Sequence, residues 1–501
     1  MNAQNGCPVI PQPALAREVT AGFVLNKNTA LIVDDASLLP AANYLQKQLL
    51  LQNAIPLSIQ PNGIGAYIRL SLTKKMVAES YQLNMNARQI HISGADEASV
   101  FYGIISLLQL AATSQNKSGN LMLQCWNIED RPAYGWRGLM LDESRHFFGI
   151  DKVKSILNWM AFYKLNRFHW HLTDEPAWRI EIKNYPQLAL VGGIGSYTNP
   201  NAPAQFYTQD QIAEIIRYAG ERHITVIPEI DMPGHATAAN KAYPQFSGGG
   251  SEKHPEFTFH PGKEETYNYL TNILREVNAL FPSRMLHLGG DEVSFGNDKW
   301  LADPDVKQLM ARRQLKTVQE VEQYFMQRMA DSVYAMSAKL LAWDEVANMN
   351  LPKKQTIVFW WRHDKPQQLE TTLNNGYQTV LCPRLPFYFD FVQDSTHSVG
   401  RKWNKAYSPL EDVYNFNAAN QPGVKAANRN QILGVQANVW TETMADSYRL
   451  DYMLYPRIAA LAETAWSSAE RKNYPSFVRN LKQHFLLYNK ERINYFNPFK
   501  K

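Results

Sequence analysis

Two adjacent acids after a short apolar run are the residues of this chain best suited to chemistry. The segment His287–Val293 reads HLGGDEV, and the apolar residues Met285 to Leu288 predict a short buried strand that breaks at two glycines. Glycine lets the backbone turn sharply and approach a ligand closely. If Asp291 and Glu292 share a site, their pKa values should be pushed apart, which leaves one acid and one fixed anion. A lone Asp-Glu pair is more often part of a solvated turn. The functional interpretation therefore depends on which other residues the fold brings close to Asp291 and Glu292.

The composition excludes several classes of protein. The chain has 501 residues, of which 45% are hydrophobic and 12% aromatic, so it can form one large hydrophobic core or two separate ones. A net charge of +5 without a basic cluster predicts no nucleic-acid partner, and no apolar run reaches transmembrane length. The three cysteines (Cys7, Cys125 and Cys382) lack CxxC spacing, so we predict neither a disulfide framework nor a zinc site.

The first part of the chain, from about residue 10 to 124, mixes strand and helix patterns. Ala30–Val33 and Ala66–Leu72 predict strands, whereas Asp34–Leu51 and Asp96–Ala112 carry apolar residues at helical spacing. We therefore predict a small α+β domain over residues 1–130. The polar stretch 127–132, which ends in proline, predicts a linker.

Strand and helix patterns alternate after this stretch, which is typical of a parallel α/β fold. An amphipathic helix from Asp151 is the clearest of the helices. Eight strands close a (β/α)₈ TIM barrel, which we predict over residues 131–470, followed by a C-terminal helical segment, 471–501, packed on the barrel. The eight strand candidates are Arg137–Leu141, Arg167–His171, Thr225–Ile227, Met285–Leu288, Leu340–Ala342, Thr356–Phe359, Thr379–Leu381 and Gly434–Val439.

The ends of these strands are rich in acids and aromatic residues. Active sites of this fold collect at the C-terminal strand ends. A sugar offers apolar C–H faces and a rim of hydroxyls, so a sugar site needs aromatic walls beside charged hydrogen-bonding groups; each tryptophan alone is more often part of a core. The residues at or after the eight ends include Arg145, Asp174, Glu229 to His235, Asp291, Glu292, Trp343, Trp360, Trp361, Tyr388, Asp390, Trp440 and Glu442.

The motif His287–Glu292, HLGGDE, resembles the signature of the family 20 glycoside hydrolases, the β-N-acetylhexosaminidases. The resemblance runs from about residue 10 to the mid-460s. It implies a small α+β domain before a (β/α)₈ barrel, and removal of terminal β-linked GlcNAc or GalNAc from glycans. Further motifs that match in the right order are Trp136–Gly138, Arg145–Phe147, Phe168–Asp174, Pro228–His235 and Val439–Glu442.

The resemblance also implies a mechanism. Glu292 is similar to the general acid that protonates the glycosidic oxygen. Asp291 is similar to the anion that holds the N–H of the 2-acetamido group, whose oxygen is the nucleophile and forms an oxazolinium intermediate. Tyr388 would hydrogen-bond that oxygen, and Asp174 with His235 resembles a relay that orients Glu292.

The remaining implied residues bind the terminal sugar. Trp343, Trp361 and Trp440 would enclose the acetyl methyl and stack on the ring. Trp360 is the alternative to Trp361, because either residue of the Trp-Trp pair can be aligned with the family's single position. Arg145, Asp390 and Glu442 match residues that bind ring hydroxyls. The loop Asp174–Trp178 reads DEPAW where the family often has DDQGW, which leaves the leaving-group preference open.

Two other functions compete with this interpretation. His169 and His171 share one strand face, as in metal-dependent amidohydrolases, but the later strand ends offer tryptophan where further ligands are needed. A non-catalytic sugar-binding protein on the same scaffold is the second alternative. We expect no metal, no cofactor and no membrane span. The N-terminus has no basic and apolar signal stretch, so the protein is either cytoplasmic or a mature form whose signal peptide has been removed. Three scattered cysteines do not suit the disulfide-bonded lysosomal relatives of animals, so the resemblance favours a periplasmic or secreted bacterial enzyme.

Overall fold

The structure, a computed structural model, describes residues 6–500 except 64, 115, 118 and 403–405. The N-terminal domain is one mixed sheet with two helices against it. The sheet order is β1-β8-β5-β6-β4-β2-β3, with β7 paired to β8. The elements are β1 (Leu15–Leu25), β2 (Ala30–Val33), α1 (Leu39–Asn53), β3 (Ser58–Ile59), β4 (Tyr67–Leu72), β5 (Tyr81–Met85), β6 (Gln89–Gly94), α2 (Glu97–Ala112), β7 (Asn116–Lys117) and β8 (Asn120–Asp130).

The linker predicted over residues 127–132 was wrong for residues 127–130, whereas residues 131 and 132 lie between β8 and the first barrel strand. Residues 127–130 continue strand β8, which pairs with β1 and β5 on either side. Their polarity follows strand alternation, because Asn127 and Glu129 are exposed whereas Ile128 and Asp130 are buried. Asp130 accepts hydrogen bonds from the hydroxyl of Tyr81 and the indole of Trp466, so a buried acid here has partners.

Eight parallel strands close into a barrel in the order β9-β10-β11-β14-β15-β16-β17-β18, and all eight predicted strands are confirmed. Strands β9, β11, β15 and β16 extend further than expected, because each ends in a polar or aromatic residue that the apolar pattern did not include. The strands are β9 (Trp136–Asp142), β10 (Arg167–His171), β11 (Thr225–Glu229), β14 (Met285–His287), β15 (Lys339–Trp343), β16 (Thr356–Trp360), β17 (Gln378–Leu381) and β18 (Ile432–Val439), and a separate hairpin holds β12 (Ser247–Gly249) and β13 (Thr258–Phe259).

The helices that follow the strands cover the outside of the barrel. The helix predicted from Asp151 is confirmed as α3, which buries Val153, Ile156 and Leu157. The helices are α3 (Ile150–Phe162), α4 (Gln187–Leu190), α5 (Gln209–Gly220), α6 (Thr237–Ala242), α7 (Glu264–Leu280), α8 (Pro304–Arg313), α9 (Val318–Ala335), α10 (Pro366–Asn374), α11 (Arg384–Phe387), α12 (Leu410–Asn415), α13 (Ser447–Leu454), α14 (Arg457–Trp466) and α15 (Tyr474–Lys490).

The N-terminal domain and the barrel share one hydrophobic core. At their junction Gln109 of α2 donates to the carbonyl of Phe162 at 2.7 Å, and the ammonium of Lys164 lies 3.3 Å from Asp130. Helix α15 packs at the C-terminal end of α3, where the hydroxyls of Tyr488 and of Tyr163, the residue after α3, lie 2.6 Å apart. The division at residues 130 and 470 stays a prediction about separate folding units. None of the helices in the described ranges is long and apolar enough to cross a membrane.

Candidate active site

A pocket opens at the C-terminal ends of the barrel strands. Its floor continues the aromatic packing inside the barrel, where Trp136, Phe359 and Trp343 lie. All predicted site residues except Trp343 line it: Arg145, Asp174, His235, Asp291, Glu292, Trp361, Tyr388, Asp390, Trp440 and Glu442. The loops that carry these residues are far apart in sequence, and closure of the barrel brings them together.

The two glycines after β14 direct the acids into the pocket. Gly289 and Gly290 have φ values of +67° and +89°, in the left-handed region that glycine adopts without strain. A Cβ on Gly289 would lie only 1.8 Å from Oδ1 of Asp231, so no other residue fits without displacement of that side chain. Glu292 also has a positive φ, +53°, without being glycine. Such strain often marks functional sites.

The two acids differ in their surroundings. The side chain of Asp291 is 13% exposed and that of Glu292 is 34% exposed. Burial raises the pKa of Asp291 to about 7, although the nearby imidazole of His235 lowers it. Oδ1 of Asp291 is buried and accepts no hydrogen bond from the described residues. A buried carboxylate without a donor is costly, so a donor from a ligand would stabilise it.

His235 connects the acids to Asp174. Its Nδ1 lies 3.0 Å from Oδ1 of Asp174, whereas its Nε2 lies 3.6 Å from Asp291 and 3.8 Å from Glu292. Burial by itself would lower the pKa of His235, but Asp174, Asp291 and Asp231 raise it well above the usual range. The structure thus brings the predicted relay residues together, with a charged imidazole facing both acids.

Aromatic rings form one wall of the pocket. Trp361 stacks on Tyr388 with ring centroids 6.3 Å apart and an angle of 11° between the planes. Its indole N–H donates to Glu345 at 3.2 Å, and the guanidinium of Arg384 lies over its ring, 5.1 Å from the ring centroid. Trp440 lies 6.1 Å from Tyr388. Trp360, the alternative to Trp361, is buried in the core and does not line the pocket.

Trp343 lies beneath the pocket, whereas the sequence analysis predicted that it would line the pocket wall. It is 1% exposed, its ring centroid is 6.1 Å from that of Trp440, and its indole donates to Glu229 at 3.0 Å. Trp343 therefore supports Trp440 from below. Its direct contact with a sugar stays a prediction.

Comparisons with known proteins agree with this arrangement. Residues 134–469 match the catalytic domain of glycosyl hydrolase family 20, and residues 6–131 match domain 2 of the same family. A beta-hexosaminidase of Porphyromonas gingivalis is 33% identical over 98% of this chain.

The chain belongs to glycosyl hydrolase family 20.

Other family 20 proteins extend the similarity. A beta-N-acetylhexosaminidase of Cellulomonas fimi is 31% identical over 95% of this chain and 93% of its own length. The structure of an exo beta-N-acetylglucosaminidase from Vibrio harveyi, in complex with N-acetylglucosamine, superimposes with a TM-score of 0.91 at 28% identity. That comparison covers 100% of this chain and 80% of the Vibrio protein. The chain spans 65% of the length of the Porphyromonas relative.

The structure of this family 20 chain adds a buried acid, Glu229, that the sequence analysis did not count among the site residues. Glu229 ends β11 and lies 2.5 Å from Nδ1 of His171, 2.9 Å from Nδ1 of His287 and 3.0 Å from Nε2 of His169. Burial alone would raise the pKa of Glu229, but these imidazoles hold it well below its usual range. Its position at a strand end, with histidines on both neighbouring strands, was a usable signal.

Both histidines of the metal-site alternative have partners in this family 20 chain, since His169 lies 3.0 Å from Glu229 through Nε2 and 3.1 Å from the amide of Gln436 through Nδ1. His171 directs one ring nitrogen to Glu229 and the other to Asp174, at 2.8 Å. These carboxylates raise the pKa of His171 well above its usual range, although burial opposes them. A metal ligand needs a neutral, available nitrogen, so the arrangement favours an ion-pair network that orders Asp174.

We expect Gly289→Ala to destabilise the protein by at least about 2 kcal/mol, because the left-handed backbone and the contact with Asp231 add their costs. Gly376 is a matched control, since its φ is +82° and an added Cβ meets nothing within 4 Å. Gly376→Ala should cost only about 1–2 kcal/mol. Denaturant unfolding of both variants measures the difference, and equal losses would contradict the steric role of Asp231.

Proposed function

We propose that this protein is an exo-acting β-N-acetylhexosaminidase that works with retention of configuration through participation of the substrate's acetamide. The observation that carries the proposal is the placement of Asp291, a carboxylate whose buried Oδ1 lacks a donor within the described residues, beside the more exposed Glu292 and in one pocket with Tyr388. An acetamide N–H supplies the donor that Asp291 lacks. A sugar with a plain hydroxyl at C2 would lack the nucleophile.

In the first step the acetamide oxygen attacks C1 while the bond from C1 to the leaving oxygen breaks. Glu292 gives its proton to that oxygen, so the aglycone leaves as a neutral alcohol. The nitrogen gains positive charge as the oxazolinium ring forms, and Asp291 opposes that charge from a fixed position. The hydroxyl of Tyr388 directs the acetamide oxygen toward C1.

In the second step Glu292, now a carboxylate, takes a proton from water as the water attacks C1. The C1–O bond of the oxazolinium ring breaks and the acetamide is restored. Two displacements at C1 restore the original β configuration. The imidazolium of His235, within 4 Å of both acids, stabilises their ionised forms during this exchange.

The substrate class follows from the pocket and from the relatives. Asp390, Glu442 and Arg145 supply charged partners for ring hydroxyls, and Trp361 and Trp440 supply apolar walls. The Vibrio harveyi relative is described as an exo beta-N-acetylglucosaminidase in complex with N-acetylglucosamine. We propose terminal β-linked GlcNAc or GalNAc on glycans as the substrate. We propose a periplasmic or secreted setting for this activity; Cys7, Cys125 and Cys382 are buried and unpaired, so the fold does not depend on a disulfide there.

Turnover of 4-nitrophenyl N-acetyl-β-glucosaminide and its galacto isomer tests the proposal. We expect the β anomer of the free sugar as the first product by NMR, and release of single sugars from the non-reducing end of a chitooligosaccharide. Activity should survive dialysis against EDTA. An α anomer as the first product, or loss of activity with EDTA that zinc restores, would overturn the proposal, and binding without turnover would favour the sugar-binding alternative.

A further inference from the structure

Arg401 joins the two acids predicted to bind sugar hydroxyls, and nothing in the sequence motifs pointed to it. Its Nε lies 2.8 Å from Oδ2 of Asp390, and its Nη2 donates to Oε1 of Glu442. All three residues line the pocket, and Arg401 is itself only 27% exposed at its side chain. One planar guanidinium thus spans two carboxylates that come from different strand ends, after β17 and after β18.

The backbone around Arg401 is built to deliver this side chain. The N–H of Arg401 donates to the carbonyl of Asp390 at 3.2 Å, and the N–H of Val392 donates to the carbonyl of Arg401 at 3.2 Å. Gly400 has a φ of +120°, and a Cβ there would lie 2.5 Å from Cγ1 of Val392. Arg449 donates to the carbonyl of Val399 and holds the same turn from outside the pocket.

The contacts with Arg401 leave one oxygen on each carboxylate for a ligand. Oδ1 of Asp390 and Oε2 of Glu442 are buried and accept no hydrogen bond from the described part of the chain. Two adjacent carboxylates repel each other unless a cation lies between them. Arg401 supplies that cation and, through its rigid fork, a defined direction for each acid.

We propose that Arg401 is a positioning residue that sets hydroxyl specificity, because it holds Asp390 and Glu442 so that each presents one oxygen to a hydroxyl of the terminal sugar. This inference rests on the proposed function, since it assigns the sugar-binding end of the same pocket. Without Arg401 the two acids would share a proton or separate, and the hydroxyls would lose their fixed acceptors. Discrimination between hydroxylated and deoxygenated sugars would then decline.

The other charges around these acids do not replace Arg401. Arg145 faces the cluster but its Nη1 lies 2.7 Å from Asp174. Arg457 lies behind Asp390, where its guanidinium donates to the carbonyls of Phe389 and Phe391. Burial raises the pKa of Asp390 to about 7, with Arg401 the largest opposing influence, Glu442 adding to the rise and Arg457 lowering it. Loss of Arg401 therefore raises the pKa of Asp390 further.

The test compares 4-nitrophenyl N-acetyl-β-glucosaminide with its 3-, 4- and 6-deoxy analogues. In the wild type we expect at least one deoxy analogue to lose about 100-fold or more in kcat/KM, as in sites that bind a hydroxyl through buried polar groups. Arg401→Gln should lower kcat/KM for the parent by about 10- to 100-fold, mainly through KM, and much less for that analogue. The deoxy penalty should therefore shrink to a few-fold.

Arg449→Gln is the matched control, because it loosens the same turn without touching either carboxylate. It should leave the ratio of parent to deoxy kcat/KM unchanged even if both values fall. The pH profile supplies a second readout: the acidic limb of kcat/KM reports ionisation of the free enzyme. In Arg401→Gln this limb should move to higher pH, because an acid with a raised pKa stays protonated longer as pH rises. Arg401→Lys keeps the positive charge and should return the acidic limb to its wild-type pH.

An unchanged deoxy penalty and an unmoved acidic limb in a folded Arg401→Gln variant would overturn the inference. The same would follow if Arg449→Gln reduced the deoxy penalty equally, since the effect would then belong to the turn. Failure of the proposed function looks different, because the wild type would then not turn over the parent substrate at all. Circular dichroism and thermal unfolding of each variant confirm that it is folded.

Discussion

Glu292→Gln should reduce kcat/KM for N,N′-diacetylchitobiose by about 100- to 10,000-fold, the range that a general acid contributes. A sugar leaving group is a poor alkoxide and needs the proton of Glu292. A 2,4-dinitrophenyl glycoside should lose far less in its first step, because its phenolate leaves without protonation. Single-turnover measurements on both substrates separate this step from the later hydrolysis.

The hydrolysis step gives a further check on Glu292. Water needs a base, but azide does not, so azide should accelerate the variant on the activated substrate and yield the β-glycosyl azide. Glu322→Gln is the matched control: burial raises the pKa of Glu322 to about 7, and it lines a neighbouring cavity that Glu292 also reaches, without lining the sugar pocket. Equal losses on both substrates, without azide rescue, would show that Glu292 is not the acid.

The second large effect concerns the acetamide and Asp291. Substrates that carry mono-, di- and trifluoroacetamide in place of acetamide should show a steep fall in log kcat/KM, since fluorine withdraws electrons from the nucleophilic oxygen. Glucosides without the acetamide should react orders of magnitude more slowly. Asp291→Asn should cost about 100- to 1,000-fold, as loss of a preorganised electrostatic partner does, and it should flatten the fluorine series.

A thiazoline analogue of the bicyclic intermediate separates the roles of Asp291. It should bind the wild type far more tightly than N-acetylglucosamine does, because it resembles the high-energy species. Asp291→Asn should weaken the thiazoline more than the plain sugar, since the amide orients the group without balancing its charge. Equal losses for the two ligands would limit Asp291 to positioning the ground state. A flat fluorine series would instead point to an enzymic nucleophile.

The strands of the barrel were predictable because each is a short apolar run bounded by polar or turn residues. Strand Arg167–His171 has the bounds that the sequence predicted, and helix α2 begins after Asp96, whose side chain caps it by accepting from Ser99. The linker prediction failed over residues 127–130, because alternation of polar and apolar residues in a strand with one exposed face resembles a linker when its partners β1 and β5 are unknown. Local sequence patterns predict a strand or a helix well when its residues are buried along its whole length.

The sequence by itself determined the family, the barrel and the residues that gather at its mouth, since parallel strands must end on one side and motifs at those ends must meet there. Only the tertiary structure decided how the charges are paired. The imidazoles around Glu229 come from the two strands that neighbour β11, and Arg401 bridges Asp390 and Glu442 of two different loops. The close approach of Asp231 to Gly289 likewise joins two segments that are far apart in the sequence. Their distances, and the pKa shifts that follow, depend on a low-dielectric interior that forms only when the barrel closes.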